Sequence, residues 1–259
     1  MDSFFDVSFF SQTPFYIESL HSTNDYMKEI VSKNIVNEGF SVFSDFQSGG
    51  RGQLHNVWHS APSKNILFSF VVYPKKISIS DIFVLNKWIS IAIVEGLQKI
   101  LHQNNVSGQL NIKWPNDIFL NHKKLGGILI ENSISSNGIE QSIIGIGLNI
   151  NEIDFPEKLS LATSLRKEFN IQWSRSQISS TICTEIEANY TNLLSPFSRI
   201  NSQNYFNYLL GYKEKRYYKF DEEIREATII DIDPYGRLML EFEDKSTQLF
   251  GMKEVQFVF

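Results

Sequence analysis

The stretch that decides the fold covers residues 113–129 and reads KWPNDIFLNHKKLGGIL. It combines Lys113-Trp114-Pro115-Asn116-Asp117 with the run Lys123-Lys124-Leu125-Gly126-Gly127, which leads into an apolar segment. Further upstream, Gly49-Gly50-Arg51-Gly52 again sets a fixed cation beside glycine backbone. Because glycine leaves main-chain N–H groups uncovered and arginine carries a permanent planar charge, these segments predict binding of a phosphate or a carboxylate.

Each segment by itself also has a purely structural explanation. Gly49-Gly50 is typical of a loop that leaves the apolar run 41–46, and Pro-Asn-Asp is typical of a turn. The lysines and glycines at 123–127 are equally typical of a solvated edge before a strand. A binding site is favoured by the motifs that accompany them in order along the chain, namely Ser22-Thr23-Asn24, Gln47, Trp58 and Gly145-Ile146-Gly147-Leu148-Asn149.

Composition sets the broad class of the protein. The 259 residues are 42% hydrophobic and include 21 Phe, which is enough for one large core or for a main domain with a smaller second one. A net charge of −5 argues against a nucleic-acid surface as the main function. The five histidines show no metal-ligand spacing.

The compartment is predicted from the single cysteine and the apolar pattern. Cys183 rules out an intramolecular disulfide and suits a reducing compartment. It lies in a segment where Ile178, Ile182, Ile186 and Tyr190 recur at helical spacing, so we expect a packed thiol and not a nucleophile. The first residues lack the basic start of a signal peptide, and no apolar run reaches the roughly 18 residues of a membrane span. We therefore expect a cytoplasmic protein without membrane contact.

Hydrophobic periodicity predicts an α+β fold with a mixed or antiparallel sheet and helices on one face. The predicted strands lie at 14–18, 41–46, 66–73, 110–114, 125–131 and 141–150. One predicted helix starts at Ser22 or Thr23. Three further helices are predicted at 81–102, 175–194 and 201–210. From Lys215 onward, short alternating strands predict a small β domain. We place the domain boundary near Gly211, which gives domains 1–210 and 211–259.

These motifs together resemble those of biotin protein ligases, the enzymes that adenylate biotin and attach it to a carrier lysine. The resemblance runs from about Ser22 to the C-terminus and includes the Ser-Thr-Asn start, the glutamine before a Gly-Arg-Gly loop, the following tryptophan and the KWPND segment. It implies a class II synthetase-like biotin/lipoyl ligase catalytic domain followed by an SH3-like β-barrel. It also implies that biotin and ATP form biotinyl-5′-AMP, with Mg²⁺ as the accompanying ion. A biotin carboxyl carrier domain of a biotin-dependent carboxylase would then accept the biotin.

The resemblance also assigns residues to this chemistry. By resemblance, Arg51 and the N–H groups of the glycine loop hold the phosphate, and Lys124 contacts the biotin carboxylate and the α-phosphate. The implied catalytic residues are Arg51, Lys113, Asp117 and Lys124. The implied binding residues are Ser22, Thr23, Asn24, Gln47, Gly50, Arg51, Gly52, Gln53, Trp58, Lys124, Gly126, Gly127, Gly147 and Asn149.

The chemistry of several of these side chains leaves their roles open. The Ser-Thr-Asn start and Gln47 supply both donors and acceptors for a neutral ureido ring, while Ser22 or Thr23 would serve equally as a helix cap. Asp117 would stabilise Lys113, hold Mg²⁺ or orient the carrier amine, and the sequence does not choose among these. We expect Trp58 to pack against adenine and Trp114 to be a core anchor beside the site.

Other functions and features are also consistent with the sequence. A lipoate or octanoate ligase or transferase, and a non-catalytic biotin or biotinyl-adenylate sensor, are the two alternatives to a biotin ligase. The loop at 53–57 carries fewer basic residues than many family members, which predicts a weakly retained adenylate. Only 21 residues precede Ser22, so we expect a monofunctional ligase without a DNA-binding domain. Monomer and homodimer are both open.

Overall fold

The structure, a computed structural model, describes residues 10, 14–53, 56–136, 138–194 and 202–259. Within these ranges the chain forms two β sheets, five α-helices and two single turns of 3-10 helix, at Ile79–Asp81 and Glu157–Leu159. The larger sheet and its helices carry the motifs described above, and the smaller sheet follows them in the chain.

The larger sheet is mixed, as predicted. Its seven strands follow the order β1-β2-β3-β7-β6-β5-β4. They are β1 (Phe15–Leu20), β2 (Ser41–Gln47), β3 (Ile66–Val72), β4 (Leu110–Lys113), β5 (Asp117–Leu120), β6 (Lys123–Ser135) and β7 (Gly138–Leu148). Strand β1 pairs parallel with β2, and all other neighbours pair antiparallel. The predicted α+β class is confirmed.

The helices are α1 (Thr23–Lys33), α2 (Val84–Gln103), α3 (Leu165–Phe169), α4 (Arg175–Leu194) and α5 (Ser202–Tyr208). The long helices α2 and α4 share one side: Phe70 of β3 packs edge-on against Trp88 of α2, whose Nε1 donates to Ile186 O of α4 at 3.0 Å. Helix α1 lies on the opposite face, where Met27 packs with Val71, so helices cover both faces of the sheet and not one face as predicted. Successive strand residues point to opposite faces, so Phe70 and Val71 contact different helices. Within the described residues, no helix is both long and apolar enough to cross a membrane.

Strand β5 is the strand of the larger sheet that the sequence pattern did not predict, and the short helix α3 was not predicted either. The segment after Lys113 forms the predicted turn, with a cis peptide bond between Trp114 and Pro115, and the chain then returns as β5. Lys113 pairs with Asp117 across this hairpin, and Asp117 pairs with Gly127 of β6 on its other side. The hairpin therefore places Asp117 between two lysine-bearing strands.

The second sheet forms the predicted C-terminal β structure. Its five antiparallel strands follow the order β11-β10-β9-β8-β12. They are β8 (Lys215–Phe220), β9 (Glu223–Ile232), β10 (Leu238–Phe242), β11 (Thr247–Phe250) and β12 (Gln256–Phe257). The predicted strand, turn and strand at 227–242 correspond to β9 and β10. Trp114 Nε1 donates to Gly236 O in this turn at 2.8 Å, so the core tryptophan links the two sheets.

We propose that the boundary between the two domains lies at Gly211, as the sequence predicts. The support is a change of backbone partners at that point. Leu210 N donates to Ile112 O of the first sheet at 2.9 Å, whereas Lys213 N donates to Ile229 O of the second sheet at 3.0 Å. Gly211 itself has φ +81°, a left-handed conformation that favours glycine.

Candidate active site

The glycine loop predicted to bind an anion folds into a narrow hairpin. Trp58 N donates to Gly50 O at 2.8 Å, and Gly52 N donates to Asn56 O at 2.7 Å. A Cβ at position 50 would lie 2.6 Å from Trp58 O, so this close approach of two backbones requires glycine. The expectation of weak adenylate retention concerns residues 53–57, of which 54 and 55 lie outside the described residues.

The hairpin positions the indole ring of Trp58 over two neighbouring strands of the larger sheet, β6 and β7. Gly127 of β6 and Gly147 of β7 are cross-strand partners, and a Cβ on Gly147 would lie 2.6 Å from the indole. A Cβ on Gly127 would lie 3.5 Å from it. These glycines therefore make room for a flat ring directly above the backbone. The indole Nε1 is buried and has no hydrogen-bond partner among the described residues, so its N–H is available to a ligand.

A small pocket lies beside Trp58, between the start of α1, the end of β2, the hairpin, β6 and β7. Its volume is about 40 Å³. It is lined by Ser22, Thr23, Asn24, Gln47, Arg51, Gly52, Trp58, Asn116, Gly127, Ile128, Leu129, Gly145, Ile146 and Gly147. Pockets that enclose small organic ligands usually measure about 300–1,000 Å³, so the pocket in this structure is smaller than a pocket that encloses such a ligand.

The polar wall of this pocket is built at the start of α1. Ser22 caps the helix, because its Oγ accepts from Asp25 N at 3.4 Å, which confirms the capping interpretation. Thr23 donates to Gln47 Oε1 from its backbone N at 2.7 Å and from its Oγ1 at 3.0 Å. Asn24 is buried above Gly145 and donates from Nδ2 to Glu131 at 2.9 Å. The residues predicted to recognise a ureido ring are thus brought together.

The second group of predicted residues meets in an adjoining cleft of about 450 Å³. Lys124 Nζ lies 2.5 Å from one oxygen of Asp117, and Lys113 Nζ lies 3.8 Å from the other. Lys113 also faces the ring of Phe257 in the C-terminal sheet at 4.9 Å, and burial lowers the pKa of its ammonium. The cleft lies next to the pocket, because Asn116 lines both. It therefore offers two cations and one carboxylate to an anionic ligand.

Arg51 reaches the pocket from the hairpin and is held by two carboxylates. Its guanidinium contacts Asp25 of α1 and, at 2.8 Å, Glu131 of β6. Burial by itself lowers the pKa of the Arg51 guanidinium, but the two carboxylates outweigh it and raise this pKa above its ordinary value. Glu131 also contacts Lys28 at 2.6 Å. Sequence reasoning missed all three of the residues around Arg51, and the only local signal was the position of Asp25 directly after the Ser-Thr-Asn start.

Three of the predicted binding residues line neither cavity. Gly50 allows the close backbone approach within the hairpin. Gly126 has a similar role in the sheet, because a Cβ there would lie 2.7 Å from Gly147 O in the neighbouring strand. Asn149 is buried and donates from Nδ2 to Thr163 O at 3.0 Å, which fastens the segment after β7. These three residues support the backbone around the site.

A mixed sheet with this strand order, a glycine hairpin over its glycine-bearing strands and a small C-terminal β sheet together define the catalytic fold of a class of protein ligases. The chain belongs to the Biotin/lipoate A/B protein ligase family, whose sequence model matches residues 16–149.

Individual relatives agree with this assignment. The Bifunctional ligase/repressor BirA of Bacillus subtilis is 32% identical over 183 residues, which are 70% of this chain and 54% of that protein. Biotin--protein ligase 2 of Arabidopsis thaliana is 33% identical over 132 residues, or 51% of this chain and 38% of that protein. The chain thus spans about half or less of the length of these two relatives. The structure of biotin protein ligase from Aquifex aeolicus in complex with biotin and ATP has the same fold, with a TM-score of 0.76 at 22% identity, covering 94% of this chain and 97% of that one.

Proposed function

We propose that this protein is an ATP-dependent biotin protein ligase, which forms biotinyl-5′-AMP and then transfers biotin to a lysine of a biotin carboxyl carrier domain. The observation that carries the proposal is the junction of two cavities. One has the polar start of α1, Arg51 and Trp58 in its wall, and the other contains Lys113, Asp117 and Lys124. The names of the relatives, and the biotin and ATP bound to the Aquifex aeolicus enzyme, support the same substrates.

In the first step, a biotin carboxylate oxygen attacks the α-phosphorus of ATP. An O–P bond forms, and the bond to pyrophosphate breaks. Two anions must meet, so the barrier is largely electrostatic and falls where fixed cations surround the reacting atoms. Lys124 lies near the junction of the two cavities, with its Nζ 6.0 Å from the centroid of the Trp58 ring, and Arg51 lines the pocket on the hairpin. In this proposal, the two side chains stabilise the negative charge of the biotin carboxylate and the α-phosphate where these groups meet.

The ion that accompanies ATP in this proposal is Mg²⁺, which shields the polyphosphate charge when bound. Among the described residues, no group of three or more His, Cys, Asp or Glu side chains is arranged to hold a metal alone. Mg²⁺ is commonly bound through one or two carboxylates and the substrate phosphates. Asp117 is a carboxylate that lines the cleft, so it fits an ion that enters with the nucleotide. Asp117 also contacts Lys124 Nζ at 2.5 Å.

In the second step, the carrier lysine attacks the carbonyl carbon of the mixed anhydride. A C–N bond forms, AMP leaves with the electron pair of the C–O bond, and the amine loses a proton. The incoming ammonium is attracted to a carboxylate, which favours its approach along the cleft beside Asp117. The partner in this proposal is the carrier domain of a biotin-dependent carboxylase. We propose that the reaction takes place in the cytoplasm, because the single cysteine, Cys183, is a free thiol, which suits a reducing compartment.

Replacement of Asp117 by asparagine is expected to slow adenylate formation by about 10- to 100-fold, since a small displacement of a catalytic group has effects of that size. Asparagine keeps the shape but removes the charge between Lys113 and Lys124. The measurement is the rate of each half-reaction, adenylation from ATP and transfer from preformed biotinyl-5′-AMP. If neither half-reaction slowed, Asp117 would be structural.

The proposed function is tested by intact-mass analysis of a biotin carrier domain incubated with the protein, ATP and Mg²⁺. Biotin, lipoate and octanoate are offered in competition. A biotin adduct that disappears when ATP is omitted would support the ligase. A lipoyl or octanoyl adduct would replace the proposal by the sister activity. Absence of any adduct, with biotin still bound in calorimetry, would favour a sensor.

A further inference from the structure

One carboxylate connects the two functional sides of the pocket. Glu131, in β6, accepts from Asn24 Nδ2 at 2.9 Å on one oxygen. Its other oxygen accepts from Arg51 Nη2 at 2.8 Å and from Lys28 Nζ at 2.6 Å. The side chain is 21% exposed, so these contacts are largely shielded from water.

We propose that Glu131 is a positioning residue that orients both Asn24 and Arg51. It would thereby link the wall that recognises biotin with the hairpin that binds the phosphate. The inference rests on the proposed function and deepens it, because it names the residue that prepares both ends of the pocket.

The first part of the argument concerns the side-chain amide of Asn24. Glu131 Oε2 only accepts when ionised, so it selects the NH₂ end of the amide. The opposite end, Oδ1, lies 2.6 Å from Ser69 Oγ, which donates to it. The Ser69 hydroxyl can donate or accept, but rotation of the amide would turn Oδ1 toward the Glu131 carboxylate and Leu129 O, which both only accept. Glu131 therefore fixes the orientation of the Asn24 amide in the pocket wall, with Nδ2 toward Glu131 and Oδ1 toward Ser69.

The second part concerns the guanidinium of Arg51. Arginine has five N–H donors, and the contacts with Asp25 and Glu131 use the two terminal nitrogens without occupying all five donors. The guanidinium is therefore held between α1 and β6 while it keeps donors for a phosphate. An arginine on a hairpin gains its geometry from such partners, which reduces the freedom lost when the anion binds.

The third part concerns the charge of Glu131. Burial opposes its ionisation, but hydrogen bonds from Lys28, Asn24 and Arg51 hold its pKa below the ordinary value. The carboxylate is therefore charged at neutral pH. Together with Asp25 it balances Lys28 and Arg51, and removal of either carboxylate leaves an excess cation beside the pocket.

Three variants separate the two positioning roles. Glu131→Gln keeps an amide oxygen that can accept from Asn24, but loses the charge that holds Arg51. Asp25→Asn loses the charge of the other partner of Arg51 and leaves the contact between Glu131 and Asn24 intact. Glu131→Ala loses both functions. All three variants are compared in calorimetric biotin binding without ATP and in single-turnover formation of biotinyl-5′-AMP.

The expected result is a split between the two measurements. Glu131→Gln and Asp25→Asn should slow adenylation by about tenfold, the size expected for one charge-assisted hydrogen bond, while biotin affinity stays within about threefold of the wild type. Glu131→Ala should in addition weaken biotin binding by about tenfold or more, because Asn24 Nδ2 then keeps only the longer contact to Leu129 O, at 3.4 Å. A residue with a merely structural role would not separate biotin affinity from the rate in this way.

Glu140→Gln, an exposed position on the neighbouring strand β7, is the matched control and should behave as the wild type. Thermal unfolding midpoints verify that each variant is folded. Adenylation at the wild-type rate by Glu131→Gln, or wild-type biotin affinity in Glu131→Ala, would overturn the inference alone. A wild-type protein that neither binds biotin nor forms the adenylate would contradict the proposed function as well.

Discussion

Replacing Lys124 by alanine is expected to slow formation of biotinyl-5′-AMP by about 10²- to 10³-fold, the usual loss when a preorganised donor to a developing charge is removed. Lys124 Nζ is fixed by Asp117 at 2.5 Å and lies beside Trp58 near the junction of the two cavities. The biotin carboxylate and the α-phosphate both carry negative charge where they meet. Without the Lys124 ammonium, Lys113 is the cation that remains beside Asp117 in the cleft, and its Nζ lies farther from the carboxylate, at 3.8 Å.

The neighbouring lysine provides a matched control for this experiment. Lys123 pairs with Glu168 at 3.3 Å and lines neither cavity. Because this is a surface ion pair of little energetic weight, Lys123→Ala should adenylate biotin within about twofold of the wild-type rate. Both variants are followed by single-turnover pyrophosphate release at saturating biotin and ATP. A Lys124→Ala rate within about threefold of wild type would remove Lys124 from the catalytic residues, since a lost oxyanion-type donor costs far more.

The sequence predicts the larger sheet well where hydrophobic runs are long. Strand β3 is apolar along its whole length, and α2 repeats apolar residues at helical spacing, so both elements follow from local pattern. Strand β5 has only four residues and directly follows a turn, so its pattern is too short to separate from the turn itself. The face covered by α1 also gives no local signal, because Phe70 and Val71 are both apolar although they contact different helices.

Part of the candidate site can likewise be predicted from sequence motifs, and part depends on contacts between residues distant in the chain. Lys113, Asp117 and Lys124 occur close together in the chain, and the β4-β5-β6 arrangement brings them to one cleft as the motif predicts. The contacts of Glu131 with Asn24 and Arg51 join residues separated by 107 and 80 positions, which leave no periodicity or spacing to recognise. The position of Trp58 over Gly127 and Gly147 is also a tertiary fact. Isolated charged and aromatic residues acquire these roles only when the strands are aligned.

Replacing Gly50 by valine is expected to abolish detectable adenylation, a loss of at least about 10²-fold, because displacement of binding groups by an ångström has effects of that size. A Cβ at this position would lie 2.6 Å from Trp58 O and 3.1 Å from Gln47 Nε2. The Trp58 oxygen belongs to the backbone and moves only if the hydrogen bond from Trp58 N to Gly50 O breaks. Valine would therefore open the hairpin and displace Arg51 and Trp58 together from the pocket.

Because the hairpin lies outside both hydrophobic cores, the Gly50→Val variant should keep a cooperative thermal transition close to that of the wild type. Gly52→Ala is the comparison within the same hairpin. A Cβ at position 52 would lie 3.4 Å from Asn56, which is ordinary van der Waals contact, so the two legs can stay paired and the loss of adenylation should be smaller. If Gly50→Val instead formed the adenylate within about threefold of wild type, the closed hairpin would not be needed for catalysis. The charge at the reacting atoms would then have to be stabilised mainly from the cleft, by Lys113 and Lys124.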